Sequence, residues 1–303
     1  MTCTHPDNKN FSLALHIGPL RYLFEARDDW GKAVLEEINK HVACARPSRR
    51  YDRIIHMVEL ADREQVQIVL PGRLTERLPI SERNALWTCT SNPVNTFWSS
   101  QGSRHVFWGR AASTRIGTPR FHLPWNLVIT DCITRGGGLA HGGLAMNHTE
   151  NGLLFLAPPG GGKTTTLKTV PPDWTVLSDD AALVWPGTAG TWFASPLPAW
   201  GNLITPQEEW RFPAMRLDRC CQLKSVLVLQ KSRSISLEQL SPAESVPALH
   251  RALGEYPVTI MAEAIRSEER FRIAARIARD LLCWKLALPL NGNIWPLLDK
   301  EAA

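Results

Sequence analysis

A glycine-rich loop that ends in Gly-Lys-Thr is the stretch of this sequence with the clearest chemical meaning. It follows an apolar run, residues 153–156, that is long enough for one buried strand, and it spans residues 157–165. Glycines let a backbone wrap close to an oligophosphate with successive N–H groups pointing inward, and a following helix adds its positive end. We therefore predict a phosphate-binding loop, in which Ala157 stands where the usual pattern has its first glycine.

Each residue type in this loop has an expected task. Lys163 would reach the β- and γ-phosphates of a nucleotide, and the Thr164 hydroxyl would coordinate Mg²⁺. The other predicted nucleotide contacts are Pro159, Gly160, Gly161, Gly162 and Thr165. The alternative is a Gly-rich turn that carries a lysine by chance, but the order of strand, loop and helix-compatible segment favours a nucleotide site.

Two adjacent carboxylates follow the loop. Asp179 and Asp180 stand at the end of a short predicted strand, residues 175–177. If that strand lies next to the loop strand, its end faces the phosphates. Neighbouring strand residues point to opposite sides, which suits two tasks: holding Mg²⁺ and accepting a proton from an attacking hydroxyl. The residues alone do not divide these tasks; we predict Thr164 and Asp179 as metal ligands and both aspartates as catalytic. The alternative is a helix cap or a turn.

A histidine precedes the loop on the strand expected to form a hairpin with it. His141 lies in residues 139–147, and a tight turn at residues 150–152 leads to the loop strand. The hairpin would bring the imidazole beside the phosphates, where it could orient the aspartates or stabilise negative charge. We include His141 with Asp179, Asp180 and Lys163 as a predicted catalytic residue. A purely structural role for His141 is an equally weighted alternative.

Taken together, these motifs resemble the carboxy-terminal domain of HPr kinase/phosphorylase. The resemblance depends on four features in chain order: the strand with His141, the hairpin, the glycine loop and the Leu-Ser-Asp-Asp run of residues 177–180. That P-loop group has a core similar to phosphoenolpyruvate carboxykinase. The Glu-x-Arg-Gly signature of true HPr kinases is not found downstream, where residues 200–215 offer only Glu208, Glu209 and Arg211 as unaligned substitutes. The chain is therefore more similar to the looser relatives, which include lasso-peptide kinases and the SynChlorMet cassette protein ScmC.

The resemblance covers about residues 125–303 and implies a fold and a reaction. We expect an α/β domain with a P-loop core of the HPr kinase/phosphoenolpyruvate carboxykinase type at residues 125–303, preceded by a small α+β domain at residues 1–124. The implied activity is an ATP- and Mg²⁺-dependent transfer of a γ-phosphoryl group to a hydroxyl, expected on a Ser or Thr of a peptide or small protein. The alternatives are a nucleotide-binding accessory or regulatory module of a peptide-modification pathway and a small-metabolite kinase.

Composition narrows the class of protein and its partners. With 44% hydrophobic and 21% charged residues over 303 positions, the chain is typical of a globular protein. The net charge of +5 suits an anionic ligand but is not a nucleic-acid signature. No apolar run is long enough for a bilayer, so we expect a cytoplasmic protein without a membrane partner. Seven cysteines without a CxxC pair indicate neither a zinc site nor a disulfide framework. Kinases of the resembled family often form homo-oligomers, but no residue here indicates one.

The elements that must position these residues are predicted from apolar periodicity and turn residues. In the amino-terminal part we expect two strands within residues 11–26 and a helix that Asp28 and Asp29 cap, with turn-rich segments at residues 84–94 and 105–115. In the second part we expect a flexible joint at the three glycines 136–138 before the hairpin. Strands should follow at residues 182–185, 191–194 and 224–230, and helices at residues 241–253 and 261–282.

Overall fold

In a computed structural model of the chain, the described residues are 11–41, 50–60, 87–91, 96–100, 105–111, 125–197, 219–254, 267–289 and 292–301. They form a mixed α/β protein with two sheets and several helices, which confirms the predicted fold class at that level. The chain divides into two compact units, Met1–Pro124 and Trp125–Ala303. None of the described helices is both long enough and apolar enough to cross a membrane.

The amino-terminal unit is built on a six-stranded sheet. Its described elements are β1 (Ser12–Ile17), β2 (Leu20–Ala26), α1 (Asp29–His41), β3 (Arg53–Leu60), β4 (Trp87–Ser91), β5 (Thr96–Ser100) and β6 (His105–Ala111). The strand order is β1-β2-β3-β6-β5-β4. The first hairpin and the helix are as predicted. Gly18 turns the hairpin with φ 59°, and an Asp28 carboxylate oxygen accepts the Gly31 N–H at 2.8 Å, which caps α1.

The two segments predicted to be turn-rich contain strands instead, and that prediction was wrong. β4 lies within residues 84–94 and β6 within residues 105–115. β6 pairs in parallel with β3 and in antiparallel fashion with β5, so its backbone is satisfied from both sides. β4 pairs with β5 in a hairpin, whereas β6 pairs with β3, which is distant in sequence. Pairing with neighbouring strands therefore stabilises both segments, and the turn residues within them were given too much weight.

The second unit carries the predicted loop within an eight-stranded sheet. Its elements are α2 (Trp125–Ile133), β7 (Gly138–Asn147), β8 (Asn151–Leu156), α3 (Lys163–Lys168), β9 (Trp174–Ser178), β10 (Ala181–Pro186), β11 (Trp192–Pro196), β12 (Cys221–Lys231), β13 (Ser236–Leu240), α4 (Pro242–Ala252), α5 (Ser267–Asp280), β14 (Leu282–Leu288) and α6 (Trp295–Glu301). The order is β11-β10-β7-β8-β12-β14-β13, with β9 paired to β7. β11 also pairs with β12, so five strands close into a ring.

Both faces of the central strand β8 are buried, which explains its uninterrupted apolar sequence. Leu154 and Leu156 belong to one hydrophobic cluster, which α4 and α5 cover. Leu153 and Phe155 belong to a second cluster, which includes Trp295 of α6. Successive side chains of a strand point to opposite faces, so the single run supplies both cores.

The three glycines 136–138, the last of which begins β7, form a packed turn, and the expectation of a flexible joint was wrong. The Gly136 N–H donates to Ile133 O at 2.7 Å, and the Gly137 N–H donates to Cys132 O at 3.0 Å. A Cβ on Gly137 would overlap the Val184 carbonyl oxygen and lie 2.8 Å from Cys132 Sγ. Glycine is needed here because α2 approaches β10 closely.

The turn between β7 and β8 was predicted too late in the sequence. Glu150 turns the chain with φ 63°, and an Asn147 side-chain oxygen accepts the N–H groups of Thr149 and Asn151, both at 3.0 Å. Gly152 lies inside β8, opposite Met146. A Cβ there would overlap Cys221 Sγ. The Asn-Gly dipeptide therefore marks a close strand contact, not the turn itself.

The carboxy-terminal elements differ from the prediction in their boundaries. The long predicted helix ends at Asp280, and Leu282 begins β14; residues 261–266 lie outside the described part of the chain. β14 pairs in parallel with β12 and extends the sheet beyond the ring. The sequence reasoning did not indicate β13, β14 or α6, although α6 contributes Trp295 to the second cluster.

Replacing Gly137 with alanine tests the tight turn. The added methyl group must displace the Val184 backbone, so we expect Gly137→Ala to lower the free energy of unfolding by about 2 kcal/mol or more in urea denaturation. Gly138→Ala is the matched control, because its Cβ would first meet the flexible end of Leu253 at 3.0 Å. Equal losses from the two variants would contradict this account.

Candidate functional site

The loop between β8 and α3, residues 157–162, needs its glycines for conformation and space. Gly160 has φ 70° and Gly162 has φ 102°, a region that other residues rarely adopt. A Cβ on Gly161 would lie 2.7 Å from Ala157 Cβ. The Ala157 methyl group, in the place of the usual first glycine, is accommodated because Gly161 has no side chain. The segment is a strand, a tight loop and a helix in the predicted order.

Lys163 is the buried cation of this loop. Lys163 is only 7% exposed, although it is the first residue of α3. Its Nζ donates a hydrogen bond to the carbonyl oxygen of Ala157, so the side chain folds back across the loop. A buried ammonium needs such partners because desolvation of a charge is costly. The predicted contacts Pro159, Gly160 and Thr165 are exposed, and Thr164 is partly exposed.

The two aspartates lie in the bend between β9 and β10, directly after the short strand at whose end they were predicted. They are not strand residues themselves, and β9 is not the neighbour of the loop strand, so those two parts of the prediction are corrected. β9 pairs with β7, so β7 separates it from the loop strand β8. β9 and β8 both run antiparallel to β7 and therefore end at the same edge of the sheet. Two strand spacings amount to roughly 10 Å. The bend after β9 and the loop after β8 thus share one edge.

Strand β7 brings the predicted histidine to the aspartates. His141 is the register partner of Ala181 at the start of β10. Its Nε2 lies 3.1 Å from a carboxylate oxygen of Asp180. The Gly142 N–H donates to the Asp180 carbonyl oxygen at 2.8 Å, which fixes the backbone of the bend. The structure therefore places His141 beside Asp180, one of the two aspartates that the sequence analysis expected it to orient.

Asp179 has a different electrostatic environment from Asp180. Burial raises the pKa of its carboxyl group above the usual 3.8, and the negative charge of Asp180 raises it further. A hydrogen bond from its own backbone and the Lys163 ammonium oppose this rise in pKa. The lysine of the loop and this aspartate therefore lie close enough to interact electrostatically. The two neighbouring carboxyl groups have distinct partners, which the sequence did not assign.

Ser178 shapes the bend, and sequence reasoning missed it. The residue is 2% exposed. Its Oγ accepts the N–H of Asp180 at 3.4 Å and that of Ala181 at 3.1 Å. Serine commonly accepts backbone N–H groups two or three residues ahead in turns. A serine directly before two aspartates is the signal that could have identified this role.

The donors at the site are hard oxygen ligands. A carboxylate of Asp179 and the hydroxyl of Thr164 are the ligand types that Mg²⁺ prefers, and that ion is usually held by one or two protein carboxylates together with substrate phosphates. Among the described residues, no group of three or more His, Cys, Asp or Glu side chains could hold a metal ion. The chemistry of the donors fits Mg²⁺. Glu208, Glu209 and Arg211 lie outside the described residues.

Comparison with known proteins identifies one family. The family model described as SynChlorMet cassette protein ScmC matches residues 123–302, which is more than half of the chain. The matched region contains the loop, the aspartate bend and His141. No curated protein matches this chain.

The environment of Asp179 predicts a pH-dependent gain in stability when its charge is removed. Its pKa in the folded protein is raised above 3.8, so the folded state holds this proton to a higher pH than the unfolded chain does. The ionised carboxylate therefore destabilises the fold above that range. We expect Asp179→Asn to raise the free energy of unfolding near pH 7, with a gain that shrinks as the pH falls toward 3.8.

Denaturation of both variants across this pH range is the measurement. Asp180→Asn is the matched control, because Asp180 holds His141 at 3.1 Å. That variant should lose stability at pH 7, by about 1 kcal/mol. A gain for Asp179→Asn that persists at low pH would rule out ionisation of Asp179 as its cause.

Proposed function

This chain belongs to the family of the SynChlorMet cassette protein ScmC, and from that premise we propose that its second unit is an ATP- and Mg²⁺-dependent phosphotransferase. It would move the γ-phosphoryl group to a hydroxyl. The observation that carries the proposal is one edge of the sheet, where the buried Lys163 and the Asp179–Asp180 bend meet. The acidic bend alone would not support this proposal, because carboxylates repel a phosphate. The Lys163 ammonium in the glycine loop supplies the positive charge that would bind the phosphate near them.

The glycine loop supplies the binding groups for the phosphates. In the described part of the chain, and apart from the adjacent residues, no heavy atom lies within 4 Å of a Cβ built on Gly160 or Gly162, so an oligophosphate can approach the backbone there. Backbone N–H groups and the Lys163 ammonium carry the positive potential that such a ligand requires. Binding and charge stabilisation are most of what a phosphoryl-transfer enzyme must provide.

The surroundings of the two aspartates support a division of their tasks. Asp180 is oriented by His141, so its carboxylate is the group we assign as the base that accepts the proton of the acceptor hydroxyl. Asp179, which interacts electrostatically with the Lys163 ammonium, would hold Mg²⁺ together with Thr164. When bound, the ion would neutralise negative charge on the transferring phosphoryl group.

The finer parts of the proposal rest on the resemblance of the motifs. We propose a P-loop core of the HPr kinase/phosphoenolpyruvate carboxykinase type, with a Ser or Thr hydroxyl of a peptide or small protein as acceptor. The similarity to lasso-peptide kinases supports the peptide acceptor. The missing Glu-x-Arg-Gly signature argues against HPr itself as the substrate.

Transfer of labelled γ-phosphate from ATP, with Mg²⁺, into the components of a host lysate tests the reaction. Lys163→Met keeps the buried aliphatic stem and removes the charge, and we expect it to weaken nucleotide binding by about 100-fold and to abolish labelling. Lys168→Ala, on the exposed side of α3, is the matched control and should retain both. Nucleotide binding without any labelled acceptor would refute the transferase and leave an accessory nucleotide-binding role.

The assigned tasks of the aspartates predict different losses for their amide variants. Asp180→Asn should bind MgATP as wild type does but transfer phosphate at least about 100-fold more slowly, because it lacks the base. Asp179→Asn should lose the Mg²⁺-dependent part of nucleotide affinity, by about 10- to 100-fold. Titrations with and without Mg²⁺, beside single-turnover transfer, measure both. The reverse pattern would exchange the two assignments.

A further inference from the structure

Trp295 is a fully buried tryptophan that the predicted site does not include. It is the first residue of α6 and is 2% exposed. Its ring centroid lies 5.8 Å from that of Phe155 and 5.3 Å from that of Trp174. Its indole Nε1 donates a hydrogen bond to the Thr169 hydroxyl at 3.2 Å.

These three partners belong to the three segments that position the candidate site. Phe155 is in β8, which enters the glycine loop. Thr169 is the C-cap of α3, the helix that leaves the loop. Trp174 begins β9, which ends at Ser178 directly before the aspartates. A single indole therefore contacts three of the segments that set the distance between the loop and the carboxylates; β7, which lies between β8 and β9, is the fourth.

The hydrogen bond reaches the loop through a short, stiff helix. Thr169 Oγ1, which accepts from Trp295, itself donates to the Thr166 carbonyl oxygen at 2.9 Å. α3 has six residues, so at 1.5 Å per residue it is roughly 9 Å long. A shift of its last turn therefore moves Lys163 at its first turn. The Lys163 Nζ in turn donates a hydrogen bond to the carbonyl oxygen of Ala157 at the start of the loop.

We propose that Trp295 is a positioning residue for nucleotide binding: it holds the end of α3 against β8 and β9 so that Lys163 and the aspartates keep their spacing. The inference rests on the proposed function for its ligand. Binding is sensitive to such spacing, because misplacing a charged group by about 1 Å costs much of its interaction with phosphate.

Two variants remove the hydrogen bond from opposite sides. Trp295→Phe keeps an aromatic ring in the cluster but loses the N–H donor. Thr169→Val removes the acceptor at an exposed residue, and with it the hydrogen bond of that hydroxyl to the Thr166 carbonyl oxygen. Each should weaken MgATP binding by about tenfold, and the double variant should bind about as weakly as either single one. Hydrogen exchange at the backbone amides of residues 161–166 should be faster in all three.

Trp192→Phe is the matched control. Trp192 is also fully buried, and its indole N–H donates a hydrogen bond to Asp280 at 3.1 Å, which the phenylalanine variant loses. It belongs to the other hydrophobic cluster. We expect its melting temperature to fall as that of Trp295→Phe does, while MgATP affinity stays within about twofold of wild type and loop exchange is unchanged.

The two readouts separate this inference from the proposed function. If the wild-type protein binds no nucleotide, the proposed function fails, and the exchange measurement still decides whether Trp295 positions the loop. If Trp295→Phe and Thr169→Val leave affinity and exchange at the wild-type level, the positioning role is wrong. The same holds if Trp192→Phe changes them equally, since the effect would then follow from lost core stability. Should Trp295→Phe fail to fold, Thr169→Val alone gives the answer.

Discussion

The register of β7 against its neighbours is the constraint on which the candidate site depends. Three consecutive residues of this strand each set one part of the arrangement. His141 meets Asp180, and Gly142 lies opposite Leu156, the last residue before the loop. A Cβ on Gly143 would lie 2.5 Å from Leu167 Cδ1. Because glycine has no Cβ, α3 can pack against the sheet at this position. A slip of one residue in β7 would turn every one of these groups to the other face.

The site buries charged groups, and burial of a charge is costly unless the charge is paired and hydrogen-bonded. Lys163 is buried with the Ala157 carbonyl oxygen as its hydrogen-bond acceptor, and burial raises the pKa of the Asp179 carboxyl group. In a site selected only for stability, apolar side chains would serve better. Charged groups buried together at one edge of a sheet are a pattern typical of functional sites, which is why this edge is the candidate site.

The sequence predicted those features that depend on short-range chemistry. The strand, glycine loop and helix around Lys163 could be predicted because their glycines and their apolar run act locally. The position of the aspartates was only partly predictable: their order after a short strand was right, but the strand lies beside β7, which no local pattern indicates. The Asn151-Gly152 turn was misplaced because a glycine needed for contact with Cys221 looks the same in sequence as one needed for a turn. β14 and α6 carry little periodic signal and were missed.

Several of the contacts that could not be predicted share one physical property, which is long separation in sequence. The hydrogen bond from Trp295 to Thr169 spans 126 residues, and that from Trp192 to Asp280 spans 88. Contacts of this kind require most of the chain to be in place before they form. The conformation of the glycine loop depends on neighbouring residues, but its direction relative to the aspartates depends on the pairing of β7 with β8 and β9. A local motif therefore predicts the type of ligand, whereas the alignment of the groups that would act on it is a property of the whole sheet.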